Sequence, residues 1–430
     1  MRIWKGRDPT PLVRAGAGLL AALSISFAIS GCVDDPVCED LTRPMALEAN
    51  TWPEDLVTDI DSNTYVVGTL YNFDVQRAGD ARQVGGSLTA YDPAGAVRWT
   101  QQVTAYQNDE MWMNSVATGP NGDLFVLGEY VDPYDGDGGA FIGRYGTDGT
   151  ERGFLFLEHY ADKLAIDPSG NLYVLSMTST DHWGPSPVGG LDVLVAKYSP
   201  DGARQWLRLL GSTEDDRAYA IATDANGSVY VTGDTEGVFD QPGATTWDDD
   251  GFVAKFNTSG SLRWVRQLET SGRDTTRDVT VDNDGNVFIA GYTYAPIDDQ
   301  EYRGHADSYV RKYDSAGAVL WTRMFGTPMT DFAWHIEADA GGSVYISGWT
   351  DGAIDGGQWP QSFDDTISMG GSDGFLTTFD AAGNRGHTMQ FGTPMNDSVV
   401  GVSVGYDGNV YTLNPAEQLL YGFNPRACAP

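Results

Sequence analysis

Through most of this chain apolar and polar positions alternate with a period of two, and the clearest stretch is 251–293. There Phe252, Ala254 and Phe256 alternate with Val253 and Lys255, which predicts a strand. Asn257 to Gly260 is a short polar turn, and Leu262, Trp264 and Val265 lie on the returning strand. A second tight turn, Asp282 to Gly285, separates strands predicted at 279–281 and 286–292. The run from Val287 to Gly291 is apolar on both sides of the pleat, as in a strand covered on both faces of its sheet. Four short antiparallel strands in one repeat are the pattern of a propeller blade.

Variants of the unit fill the rest of the chain. The second-strand pattern recurs in seven copies, at 64–68, 123–128, 171–176, 228–233, 286–291, 343–348 and 409–413. The third-strand pattern also recurs seven times, at 88–91, 141–145, 194–198, 252–256, 309–313, 375–379 and 419–423. The strand after it carries Trp99, Trp206, Trp264 or Trp321; in the second and sixth copies 154–157 and 389–391 stand in its place. The expectation is an all-β, seven-bladed β-propeller with four antiparallel strands per blade.

The series Asp250, Phe252, Lys255, Gly260, Trp264, Asp274, Asp282, Gly285, Asn286, Gly291 and Thr293 resembles the SBBP repeat, a bacterial β-propeller family. The resemblance covers most of 50–425 and is strongest over 192–380; the first, second and seventh copies depart from it. It implies a ring of seven blades, with 279–282 on an innermost strand and Trp264 on an outermost one. The seventh copy ends without an outer strand, so its edge needs a cover. The N-terminal segment, around 41–48, is the piece available, and the ring is expected to close with N- and C-terminal strands.

Residues 1–31 are set apart from the fold. Arg2, Lys5, Arg7 and Arg14 precede the apolar segment 15–29, and the run ends Ile29, Ser30, Gly31, Cys32. This resembles a bacterial lipoprotein signal cut before Cys32, which implies a lipidated Cys32, a tether over 32–50 and a propeller over 51–430. An ordinary secretory signal with a chance cysteine is the alternative. Val33 holds the position where an aspartate would retain a lipoprotein in the inner membrane, which points to the outer membrane or cell surface. Two cysteines remain, Cys38 and Cys428; they flank the expected seam and are candidates for a disulfide in an oxidising compartment, against two free thiols near the termini.

The formal net charge is −34. Such a chain repels phosphate backbones, which argues against nucleic acid as a partner.

Candidate chemistry gathers in the loops between blades and between second and third strands. The Asp274 slot holds Asp216, Asp331 and Asp397 in other copies. The long loop opens with Asp74, Asp135, Asp240, Asp298 or Asp355 and closes with Asp192, Asp250, Asp307 or Asp373. Each Asp is either the hydrogen-bond acceptor of its own turn or one of several hard oxygen ligands for Ca2+. The metal candidates are Asp216, Asp240, Asp250, Asp274, Asp298, Asp307, Asp331, Asp355 and Asp373. Trp183, Trp247 and Trp359 lie in these loops, as anchors for a protein or sugar partner or as covers over the blade tops. Trp112, Trp334 and His335 fall on inner strands and read as packing.

Metalloprotease, hydrolase-elbow and nucleotide-loop motifs are missing from the sequence, and no catalytic residue is named. The functional expectation is a lipid-anchored envelope module that binds or scaffolds other envelope components, protein or polysaccharide, through an acidic, Trp-bearing face. A polysaccharide hydrolase or lyase acting from that face is the alternative.

Overall fold

The computed structural model describes residues 45–46, 51–72, 82–104, 110–131, 138–181, 184–239, 245–268, 270–354, 371–392, 395–415 and 419–423. The described residues form strands and turns and contain no helix. Six sheets are each built from four consecutive antiparallel strands, and these are the six blades, at 51–103, 110–156, 163–210, 216–267, 274–325 and 331–391. Their inner strands are Thr51–Thr58, Glu110–Thr118, Lys163–Ile166, Asp216–Thr223, Asp274–Val281 and Asp331–Ala338. Each inner strand packs beside the next, around a central axis.

The seven-bladed reading is corrected here: six blades are made, and the seventh copy builds no blade of its own. Its inner strand shrinks to Val402–Val404, and among the described residues Leu419–Phe423 is its last strand. These strands and Val410–Asn414 take the two-residue strand Met45–Ala46 as a fourth. The result is a short composite sheet between the sixth and first blades, touching both of their inner strands. This copy lacks both repeat marks: it has no outer-strand Trp, and Leu413 stands where five other copies carry Gly.

Four of the six blades latch onto the next through a Trp on the outermost strand. Trp99, Trp206, Trp264 and Trp321 donate Nε1–H to the carbonyls of Thr147, Thr258, Ser315 and Ala381, in the third-to-fourth-strand turn of the following blade. Two residues on, Arg208, Arg266 and Arg323 donate Nε–H to Gly260, Gly317 and Gly383 in the same turns. These glycines have φ of 77°, 83° and 79° and lie flat under the indole, where a Cβ would stand 2.8–3.0 Å from ring atoms. Gly is therefore required twice over, by backbone and by contact.

The first-to-second-strand Asp-x-x-Gly turns, at the same end of the blades, close themselves. Asp224 Oδ1 accepts the N–H groups of Asn226 and Ser228, and Asp282 Oδ1 those of Asp284 and Asn286. The third-strand lysines Lys197, Lys255 and Lys312 reach the turn aspartates Asp167, Asp224 and Asp282 at 3.9, 3.7 and 3.6 Å, each over an aromatic ring. Buried second and third strands fill the spaces between blades, as with Val287, Ile289, Tyr309 and Tyr313 beside Val253 and Tyr230. Each fully buried side chain of this size contributes roughly 1.5–3 kcal/mol.

Candidate functional site

Five of the six inner strands carry a β-bulge at the same place. The pairing register skips Glu54, Asn114, Tyr219, Arg277 and Trp334, one residue per strand. In every case the residue just before the bulge pairs with a glycine of the second strand: Gly68, Gly128, Gly233, Gly291 or Gly348. The bulge swings a carbonyl over that glycine. A Cβ on Gly128 would stand 2.7 Å from Trp112 O, and on Gly233, Gly291 or Gly348 it would collide with the carbonyl of Arg217, Thr275 or Phe332. The third blade has Ser176 at this position, and its short inner strand pairs without a skip. The repeated glycine is thus the sequence signal for a bulge, and bulges re-aim side chains.

The re-aimed residues do not repeat. An acid, an amide, a phenol, a guanidinium and an indole occupy equivalent positions. Arg277 lies over the Tyr219 ring at 4.2 Å and the Trp334 ring at 5.0 Å, joining the fourth, fifth and sixth blades. Trp334 Nε1 is buried and has no hydrogen-bond partner. The next position is polar in several blades. Asp55 Oδ2 accepts from Ser115 Oγ–H and the Val116 N–H of the second blade. Asp278 Oδ2 accepts the Ile336 N–H of the sixth blade at 2.9 Å.

Charges on opposite sides of the axis act on one another. Burial raises Glu54 to about 7, against the pull of Lys163 from the third blade. Burial raises Asp278 to about 7, with Lys163 again opposing. Burial raises Glu337 to about 8, and Asp278 and Asp55 add to the shift. His335 falls to about 3 through burial and the positive Lys163 and Arg277, so it is neutral beside Asp278, 3.8 Å away. These side chains are ringed by protein, yet partly accessible, as expected of groups lining a narrow central channel. Glu129, on the second strand of the second blade, is raised to about 7 by burial while it accepts the Ala161 N–H.

Beside the bulges, toward the blade-to-blade loops, lies an aromatic cluster. Tyr292 of the fifth blade stacks on Phe332 of the sixth, with centroids 3.8 Å apart and planes at 16°. Trp349 packs against Phe332 at 4.7 Å, and Tyr294 reaches both Tyr292 and His305. All of these rings are partly exposed. Trp52 of the first blade is 47% exposed on the equivalent pair of strands.

The repeated aspartates behave differently. Asp216, Asp250, Asp274, Asp307, Asp331 and Asp373 are all buried, and so are Asp192 and Asp397. They meet in pairs across the joints between blades: Asp192 with Asp216, Asp250 with Asp274, Asp307 with Asp331, and Asp373 with Asp397. The backbone joins at the same place. The N–H groups of Asp216, Asp331 and Asp397 donate to the carbonyls of Leu191, Ala306 and Ser372 in the preceding blade. Asp298 stands apart, with its side chain 60% exposed and paired with Arg311. Among the described residues no group of three or more His, Cys, Asp or Glu gathers as a metal cluster. Trp247 lies on the strand Thr245–Phe256. Cys32, Cys38, Cys428, Trp183, Trp359, Asp240 and Asp355 lie outside the described residues.

Fold and site together define a β-propeller repeat protein, its blades four-stranded and antiparallel. The family model for the SBBP β-propeller repeat matches residues 205–240 and 263–298. The chain is 28% identical over 201 residues to the regulatory protein FlaEY of Caulobacter vibrioides, an alignment spanning 42% of this chain and 20% of that protein. It is 27% identical over 162 residues to an uncharacterized WD repeat-containing protein of Acanthamoeba polyphaga mimivirus, spanning 31% of this chain and 12% of the other. Among solved structures it is similar to the β-propeller domain of the Trilobed protease from Pyrococcus furiosus, with a TM-score of 0.49 and 10% identity, covering 87% of this chain and 93% of that one.

Proposed function

We propose that the protein is a binding or scaffold module, lipid-anchored through Cys32 in the bacterial envelope, and that it holds its partner at the loop-side mouth of the central channel. One observation carries this reading. Residues that repeat from blade to blade serve the ring itself, whereas those that do not repeat converge on the channel and its mouth. Glu54, Asn114, Tyr219, Arg277 and Trp334 occupy equivalent bulges with five different chemistries. Ring building requires no such variety; recognition of an asymmetric partner does. The Tyr292, Phe332 and Trp349 rings add the partly exposed aromatic surface typical of binding hot spots. The lipid anchor rests on the run from Ile29 to Cys32.

The test is retention of envelope proteins or polysaccharide by the full chain compared with Tyr292→Ala and Trp349→Ala. Loss of a retained component by both variants, with thermal midpoints near that of the parent chain, supports the reading. Equal retention by all three chains overturns it. The hydrolase or lyase alternative draws on the channel carboxyls that burial raises, Glu54, Asp278 and Glu337. It requires release of new sugar ends from envelope polysaccharide, abolished by Glu54→Gln.

A further inference from the structure

The four aspartate pairs have more acceptor capacity than the protein uses. In the third-strand members one carboxylate oxygen is occupied: Asp192 Oδ2 accepts the Val188 N–H, Asp307 Oδ2 the Arg303 N–H and Asp373 Oδ2 the Gln390 amide. The other oxygen, Oδ1 in each of Asp192, Asp307 and Asp373, is buried without a hydrogen-bond partner. On the inner-strand side Asp216 Oδ1 is equally bare. Asp274 is fully buried and neither of its oxygens has a partner. The hydroxyls of Thr270 and Thr293 stand close enough to oppose the effect of burial on this carboxyl, while their hydrogen bonds go to the carbonyls of Gly272 and Ala295.

The bare oxygens of Asp307 and Asp373 each lie across a glycine from a carboxylate oxygen of the facing aspartate. A Cβ on Gly326 would stand 2.7 Å from Asp307 Oδ1 and 2.9 Å from Asp331 Oδ2, so both oxygens border one small space. Gly392 meets Asp373 Oδ1 and Asp397 Oδ2 in the same way, and Gly211 lies against Asp192 Oδ1. Two carboxylates brought together out of water repel each other and are poorly solvated. Either a shared proton or a cation must relieve the pair. Asp331 has both oxygens occupied, by Thr327 and Thr350, so the joints are not identical. Each of the four nonetheless holds at least one buried carboxylate oxygen without a partner, on Asp192 and Asp216, on Asp274, on Asp307 and on Asp373, and that recurrence at successive joints is a built feature.

We propose that these four interblade joints bind hard divalent cations, Ca2+ by their ligand chemistry, and that each cation clamps two neighbouring blades. The donors on offer are carboxylate oxygens, with backbone carbonyls and hydroxyls nearby and no His or Cys among the paired residues, which suits Ca2+ better than a transition metal. With only two carboxylates per joint the affinity falls in the weak range of extracellular modules, roughly 0.1–1 mM. Without the cation, burial raises Asp192, Asp307, Asp331 and Asp373 and lifts Asp216 to about 6 and Asp274 to about 7. Raised folded-state values mean that the metal-free ring loses stability as pH climbs from the ordinary range of Asp through about 7. A bound cation cancels that loss.

The experiment is flow dialysis of the full chain in detergent with Ca2+ alone, together with thermal unfolding at pH 5 and pH 7.5 in Ca2+ or chelator. About four ions per chain are expected, with a midpoint raised by Ca2+ at pH 7.5 and much less at pH 5. Asp274→Asn and Asp307→Asn each remove about one ion, and Asp298→Asn, outside the joints, removes none. Binding reduced equally by Asp298→Asn is diffuse surface attraction and overturns the proposal. So does a chain that binds no Ca2+ at millimolar concentration and whose midpoint follows pH alone, because its pairs then share protons.

Discussion

Gly285 and Gly291 stand six positions apart in the same blade and predict unequal costs, of different origin, for the same substitution. Gly285 has φ of 80°, and a Cβ there would meet its nearest neighbour, Ser315 Cβ, at an ordinary 3.8 Å. Gly285→Ala therefore costs only the left-handed backbone penalty, about 1–2 kcal/mol. Gly291 lacks a positive φ, so alanine suits its backbone. Its Cβ would nonetheless collide with the Thr275 carbonyl and stand 3.0 Å from Thr276 Cα. Both are backbone atoms of the inner strand, and no rotamer change moves them aside.

Relief requires the bulge at Arg277 to close or the inner strand to withdraw. Either change disturbs the bond from the Ile336 N–H to Asp278 and the seat of Arg277 between Tyr219 and Trp334. Overpacking against backbone costs about 3 kcal/mol, and a disturbed hydrogen bond to a carboxyl adds about 1 kcal/mol. Gly291→Ala is thus expected to lose about 4 kcal/mol, at least twice the loss of Gly285→Ala. Equilibrium denaturation with a common slope measures both, and intrinsic tryptophan emission reports any movement of Trp334. If Gly291→Ala loses no more than Gly285→Ala, the glycines opposite the bulges are not there for close approach, and this account of the inner strands is wrong.

Other outcomes follow from the same contacts. Trp264→Ala removes the Ser315 latch and leaves Gly317 and Arg266 without the indole they pack on; a loss of about 3 kcal/mol is expected by denaturation. Glu337, raised to about 8 by burial, favours the folded chain while protonated, so stability falls as pH rises from about 4.5 through about 8. Glu337→Gln should flatten that part of the stability-against-pH curve and raise the midpoint at pH 8.5; an unchanged curve would show that the carboxyl is solvated. Arg277→Met keeps bulk between Tyr219 and Trp334 but removes the cation, and is expected to shift Trp emission while lowering stability by about 1 kcal/mol.

The period-two pattern made the strands and their order within a blade readable, and Asp, Gly and Trp at fixed offsets marked the turns and outer strands. Local chemistry dictates these features: Asp282 closes its own turn, and Trp264 packs on the turn that its repeat places beside it. The number of blades was not readable by counting copies. Whether a copy closes a sheet depends on a partner strand elsewhere, and the last copy had to borrow Met45–Ala46. The bulges were missed although their signal was present. In the sequence Gly291 and its counterparts simply end apolar strands, and their purpose is visible only once an inner-strand carbonyl, Thr275 O in the case of Gly291, lies over each. Trp334 and His335 read as packing because nothing in a linear sequence places Lys163 across the axis from them.

Repetition and function therefore separate in this molecule along a physical boundary. A side chain that meets its own turn or the adjoining blade sees the same surroundings at most stations of the ring, so one solution can be copied; the Trp latches and the turn aspartates are such copies. A side chain on a bulge faces the axis, and its neighbours there include groups from blades on the far side, as Glu54 does with Lys163. No repeat can satisfy those contacts by copying itself, so each position is free to differ. The interblade aspartates belong to the copied class, and a cation there would act on the rigidity of the ring. The channel and the Tyr292, Phe332 and Trp349 surface belong to the other class. Changes there should therefore alter what the protein binds while the ring stays closed, and changes at the joints should do the reverse.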